Sequence, residues 1–145
     1  MNSKIITKGS VFQLMKDPNC LVEIVDNDEQ HARALLYNQN GCEFIVVDFS
    51  HLKEIPLSIP ILNSLGFEEK EGRLMGLAYE HYWQKQVNEH AVWIVDDEGI
   101  MKYATIDANA YHGVRFSNAP YLHELQDIIG PIDVAKLFKD LHADT

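Results

Sequence analysis

Four short apolar segments punctuated by turn residues fill residues 10–48, and that rhythm constrains the fold more than any other feature of the chain. VFQLM (11–15) is followed by Asp17-Pro18-Asn19, and CLVEIV (20–25) by Asp26-Asn27-Asp28. ARALLY (32–37) is followed by Asn38-Gln39-Asn40-Gly41, and CEFIVV (42–47) closes the series. Short runs rich in β-branched and aromatic residues between such clusters predict strands, and the tight connections return each strand antiparallel to the last. Asn40-Gly41 is the firmest turn, because both residues tolerate positive φ. Phe44, Ile45, Val46 and Val47 are apolar without alternation, which predicts a fourth strand covered on both faces. The expectation over residues 1–50 is a four-strand meander, curled into a small sheet or an SH3-like barrel.

The period changes in the segment IPLSIPILNSLGF (55–67). Ser58 is a natural N-cap, Pro60 fits a first turn, and Gly66 takes the left-handed position that stops a helix. A docking helix of about two turns follows, within residues 51–66, with Ile59, Leu62 and Leu65 on its inward face. Residues 67–117 return to hairpins: strands at 67–70 and 74–86 about a turn at Glu71-Gly72, then HAVWIV and IMKYATI about Asp96-Asp97-Glu98-Gly99, with 111–116 as one more strand. Over residues 118–142 the pattern is helical. Asn118 is the expected cap, Pro120 sits in the first turn, and Leu122, Leu125, Ile128 and Ile129 form an apolar stripe stopped by Gly130-Pro131. Asp133 caps a last helix that turns Val134, Leu137, Phe138 and Leu141 inward. The fold class is α+β, antiparallel hairpins with three short helices, in a single domain over 1–145. The nearest thing to a boundary is 51–56.

Two segments, IPLSIPILNSLGF and the later YLHELQDIIG, together resemble a group of small proteins of Bacteroidetes and their phages. Those proteins carry Ile-Pro-Leu-Thr-x-x-Ile-Leu-x-x-Cys-Gly-Phe and, further on, Val-His-Gln-Leu-Gln-Asn. The matching positions are Ile55, Pro56, Leu57, Ser58, Ile61, Leu62, Gly66 and Phe67, then His123, Leu125 and Gln126. Ser58 stands for Thr, Leu65 for Cys and Glu124 for Gln, changes that a cap and a core position tolerate in the first two cases. The resemblance implies a domain common on phages and mobile elements and brings no activity with it. Such a setting implies either a virion or replication accessory, or a host-defence antagonist that sequesters a nucleotide signal or a host protein.

Composition narrows the classes of function. With 12 Lys+Arg against 22 Asp+Glu the net charge is −10, which repels a phosphate backbone and argues against general nucleic-acid binding. No apolar run approaches the roughly 20 residues of a membrane span, and the first residues lack the apolar core of a signal peptide. The expected location is the cytoplasm of a bacterial host cell. In that reducing compartment Cys20 and Cys42 are expected as two buried thiols on adjacent strands and not as a disulfide.

Catalytic patterns are missing where chemistry would need them. The glycines are dispersed one per turn, so no loop cradles a phosphate, and no Gly-x-Ser-x-Gly presents a nucleophile. His123-Glu124 begins like a zincin helix, but Asp127 stands where the second histidine belongs, and a helix-borne histidine hydrogen-bonded to a neighbouring backbone group is the expected reading of His123. His81, His90 and His112, with Glu80 or Glu89, could converge on a metal, although scattered histidines more often sit at strand ends. The expectation is no catalytic residue, no metal and no cofactor.

The richest segment is Tyr79-Glu80-His81-Tyr82-Trp83, with Trp93, Tyr103 and Tyr111 near it and Arg73, Lys85, Lys102 and Arg115 as cations. Aromatic rings beside cations suit a stacked base and its phosphates, while the same rings also suit a sheet core. Alternation puts Tyr79, His81 and Trp83 on one side of the strand and Glu80 and Tyr82 on the other. The candidate ligand-binding residues are Tyr79, His81, Tyr82, Trp83, Lys102 and Arg115. The reading is a non-enzymatic binding module, a homo-oligomer, for a nucleotide-like ligand or a host or phage protein. A structural or accessory phage protein is the first alternative and a metal-dependent hydrolase the second.

Overall fold

The N-terminal meander is built from β1 (Val11–Leu14), β2 (Leu21–Asn27), β3 (His31–Asn38) and β4 (Gly41–Asp48). A fifth strand, β5 (Leu52–Lys53), follows a 3-10 turn at Phe49–His51 and pairs back on β1. The sheet order is β4-β3-β2-β1-β5, antiparallel throughout. The computed structural model describes residues 7–71, 81–106 and 116–143. The chain divides into two units, Met1–Pro56 with Tyr121–Thr145, and Leu57–Pro120.

In the first unit one face of the sheet gathers Phe12, Val22, Ile24, Ala34, Leu36 and Val47, closed by Phe49 and Leu52. A register shift between Ile24 and Asp26 interrupts the β2–β3 ladder, a bulge of the kind that bends a strand. β4 departs from the expectation of two covered faces. Val47 is buried, but Phe44 is 59% and Val46 64% exposed. The reason is position: β4 lies at the end of the strand order, and its outward side chains have only β3 beside them.

Helices α2 (Leu122–Ile129) and α3 (Val134–Leu141) complete this unit. Asn118 does not cap α2. It lies in a short strand, and the helix starts after an extended Tyr121, whose N–H donates to the Glu124 carboxylate at 3.3 Å. Gly130, at φ 85°, ends the helix as expected. Asp133 caps α3 by accepting the Lys136 N–H at 3.1 Å, with Val134 and Leu137 buried. The start of α2 is tied to the chain after β5: Leu122 N–H donates to Ile55 O at 2.8 Å, and Pro56 bridges Tyr121. The segments that carry the resemblance are therefore neighbours in space at this point.

The second unit holds α1 (Ile59–Ser64) and the sheet β10-β9-β8-β7-β6, made of β6 (Glu68–Glu71), β7 (His81–Val87), β8 (His90–Asp97), β9 (Ile100–Ile106) and β10 (Ser117–Asn118). Ser58 caps α1, Pro60 is in its first turn, and Gly66 has φ 92°. The buried face of this segment is Ile61, Leu62 and Leu65, while Ile59 is exposed. At about 100° per residue those three cluster on one side and Ile59 falls more than a right angle from their centre. The β8–β9 turn is the expected one: Asp97 pairs with Ile100, and Glu98 and Gly99 both have positive φ, the type I′ pattern. The expected turn at Glu71-Gly72 and most of the strand at 111–116 lie outside the described residues.

Candidate functional site

Every polar side chain on the buried face of α2 reaches a specific partner. Gln126 is buried; its Oε1 accepts the Val11 N–H at 2.9 Å and its Nε2 donates to Gly9 O at 2.7 Å. One side-chain amide thus satisfies both a donor and an acceptor of the backbone entering β1, and fixes that strand to the helix. One turn earlier, His123 is 5% exposed, with Nε2 2.7 Å from Glu54 Oε2. Its ring stacks on Phe12, at a centroid distance of 5.1 Å, and on Tyr121 at 6.0 Å. Glu124 adds a second carboxylate, so that one donor atom from each of Glu54, His123 and Glu124 lies within 4.8 Å of the other two.

The partner of His123 is a carboxylate distant in sequence and not the neighbouring backbone group expected for it. Asp127 is exposed on α2, whereas the group at hydrogen-bond distance is Glu54, delivered by the backbone bonds between Ile55 and Leu122. Nothing local in the sequence announces that pairing. The two sides meet only because β5 turns the chain toward the start of α2.

The six candidate ligand residues are placed as follows. Tyr79 and Arg115 lie outside the described residues. His81 and Trp83 share one face of β7; His81 is exposed, 3.7 Å from Glu69, and Trp83 is buried. Tyr82 and Lys102 leave the sheet on the opposite face, together with Trp93, since Gln84 pairs with Trp93 and Trp93 with Ala104. Tyr82 and Trp93 have ring centroids 5.9 Å apart, and Lys70 pairs with Tyr82 from β6. Lys102 binds Asp97 at 2.6 Å. The sheet therefore divides the described candidates into two groups. Trp83 and Trp93 each bury an indole N–H with no hydrogen-bond partner among the described residues. His90 stands at the β7–β8 turn opposite Val87, while His81 begins β7 six residues away, roughly 20 Å at strand rise. These two histidines do not converge, and His112 is outside the described residues.

The outer surface of β4 was not singled out by sequence. Phe44 and Val46 stand on it opposite Leu35 and Arg33 of β3. Toward the core face of the same strand lies an apolar recess of about 280 Å³ lined by Leu14, Leu36, Ile45, Val46 and Val47, together with Lys16 and His51. Cys42 is exposed on the same strand, so the two thiols are not both buried, and β3 separates β2 from β4. Tyr37, paired with Cys42, donates its hydroxyl to Glu23 at 3.0 Å; burial and that carboxylate raise its pKa well above the usual phenol value.

Among the described residues no helix is long and apolar enough to cross a membrane. Comparison with family models, with curated proteins and with solved structures gives no match.

Proposed function

We propose that this chain is a non-catalytic binding module that assembles with a second copy of itself along the free edge of β4. The observation that carries the reading is the contrast among the four sheet edges of the described residues. β5 and β10 are two residues long, and β6 reads Glu-Glu-Lys-Glu. Short or charged edges are the usual protection against strand addition. β4 has eight residues, no Lys or Pro, an unbroken register on β3, and two large apolar side chains more than half exposed.

Antiparallel pairing of two β4 edges about a two-fold axis joins residues of like parity. A register centred on Ile45 sets Phe44 of one copy against Val46 of the other, twice, with Glu43 opposite Val47 and Cys42 opposite Asp48. No like charges then face each other, and the outward apolar side chains cover one another. One strand per partner is a small interface, so association is weak and concentration-dependent. Sedimentation equilibrium of the protein and of Val46→Lys tests it: the parent forms a reversible dimer and the variant stays monomeric. A parent that is monomeric at all concentrations removes the reading.

Such an assembly suits the phage or mobile-element setting of the resemblance, in which a small acidic module sequesters a signal or a host protein. For the nucleotide-like ligand one observation gives support: Lys70, Tyr82, Trp93 and Lys102 lie on one face of the second sheet. Loss of nucleotide binding in Tyr82→Ala, with the fold intact, tests that second reading.

A further inference from the structure

Glu54, His123 and Glu124 bring one imidazole and two carboxylates together at the start of α2. Glu124 accepts the Tyr121 N–H, and the positive end of α2 favours a carboxylate there. Glu54 is needed to accept from His123, for which a glutamine oxygen would also serve. Both positions carry carboxylates beside one buried imidazole, and one donor atom from each of the three residues lies within 4.8 Å of the other two. An imidazole and two carboxylates converging in this way are the donor types that a divalent transition metal takes.

We propose that Glu54, His123 and Glu124 bind a first-row divalent cation, zinc being the best match. Two carboxylates neutralise a dication, and the imidazole draws the set away from magnesium and calcium, which take oxygen ligands throughout. Zinc holds nitrogen and carboxylate oxygen at about 2.0–2.2 Å, which puts its ligands roughly 3.4 Å apart, so the 2.7 Å between His123 and Glu54 must open while the wider separations in the set close. Glu54 has the freedom to do so, being one-third exposed, and its exposed edge gives the ion an entry path. His123 supplies the fixed point, since its ring is buried and stacked on Phe12 and Tyr121. Binding requires the proton that His123 Nε2 donates to Glu54 to leave, through solvent to Nδ1, which frees the Nε2 lone pair for the ion. The α2 N-terminus opposes the cation with roughly half a positive charge, against two whole carboxylate charges at ligand distance. Three protein ligands leave the remaining positions to water. The site lies wholly in the first unit and is independent of the β4 edge.

The test is titration of chelator-stripped protein with Zn²⁺ and Co²⁺, read by calorimetry and by the visible absorption of bound Co²⁺. One ion per chain is expected, with a Co²⁺ spectrum of low-symmetry coordination and a rise in Tm. Glu54→Gln and Glu124→Gln keep the hydrogen bonds and remove the charges; each should weaken binding about tenfold or more while the metal-free Tm falls only slightly. No Co²⁺ spectrum, or an affinity unchanged in both variants as exposed histidines would give, overturns the proposal.

Discussion

Glu54 and His123, 69 residues apart in sequence, share a hydrogen bond of 2.7 Å that joins the end of the first sheet to the first turn of α2. The backbone pairing of Ile55 with Leu122 sets the distance, and the rings of Phe12 and Tyr121 set the plane of the imidazole. Removing the acceptor strands a polar group that water barely reaches. Glu54→Ala should therefore cost about 1–3 kcal/mol in urea unfolding with chelator present, and Glu54→Gln much less. Equal stability of Glu54→Ala and the parent would mean the bond contributes nothing.

Gln126 makes two backbone bonds that no apolar side chain replaces. Gln126→Leu matches its volume closely but leaves the Val11 N–H and the Gly9 carbonyl without partners. A loss of about 2–4 kcal/mol is expected, with hydrogen exchange at Val11 accelerated more than at the centre of β3. Uniform acceleration across the sheet would show that the amide does not anchor β1 locally.

Gly66 sits at φ 92°, and a Cβ there would approach Lys85 Nζ to 3.3 Å, the same ammonium that donates to Leu65 O. Gly66→Ala combines backbone strain with displacement of that lysine. Thermal unfolding should report a loss of about 1–2 kcal/mol. Gly41→Ala meets only the backbone penalty, because nothing lies within 4 Å of its Cβ, and should lose less.

The two thiols should separate cleanly by reactivity. Burial pushes the Cys20 thiol up to about 11, and the neighbouring Asp17 carboxylate adds to it, whereas Cys42 is exposed. A disulfide reagent at about pH 8 should consume one equivalent rapidly and the second only on unfolding. The raised thiol also contributes to stability. Its contribution is complete below about pH 9, the unfolded value, and disappears as the pH climbs through about 11. Cys20→Ser should flatten that alkaline decline, and an unchanged profile would assign it to other groups.

Local chemistry made much of the fold legible. Turn residues marked the four meander strands and the β8–β9 hairpin, and Ser58, Gly66, Gly130 and Asp133 marked helix ends where the structure has them. Information that depends on neighbours was not legible. A run such as Phe44-Ile45-Val46-Val47 reads the same in a central strand and at an edge, so the exposure of β4 required the strand order. β5 is two residues long and has no pattern of its own. His123 was visible as an unusual residue on an apolar stripe, but its partner comes from a loop 69 residues away, and sequence spacing carries no trace of that distance.

The central claim is that β4 is an interface, and amide hydrogen exchange along this strand as a function of protein concentration tests it most directly. In dilute solution the amides of β4 that point away from β3 should exchange fast. As concentration rises they should become protected, while those bonded to β3 change little and Val46→Lys shows no such gain. Fast exchange of the outward amides at every concentration would contradict the account, and would leave the exposed Phe44 and Val46 without the partner assigned to them.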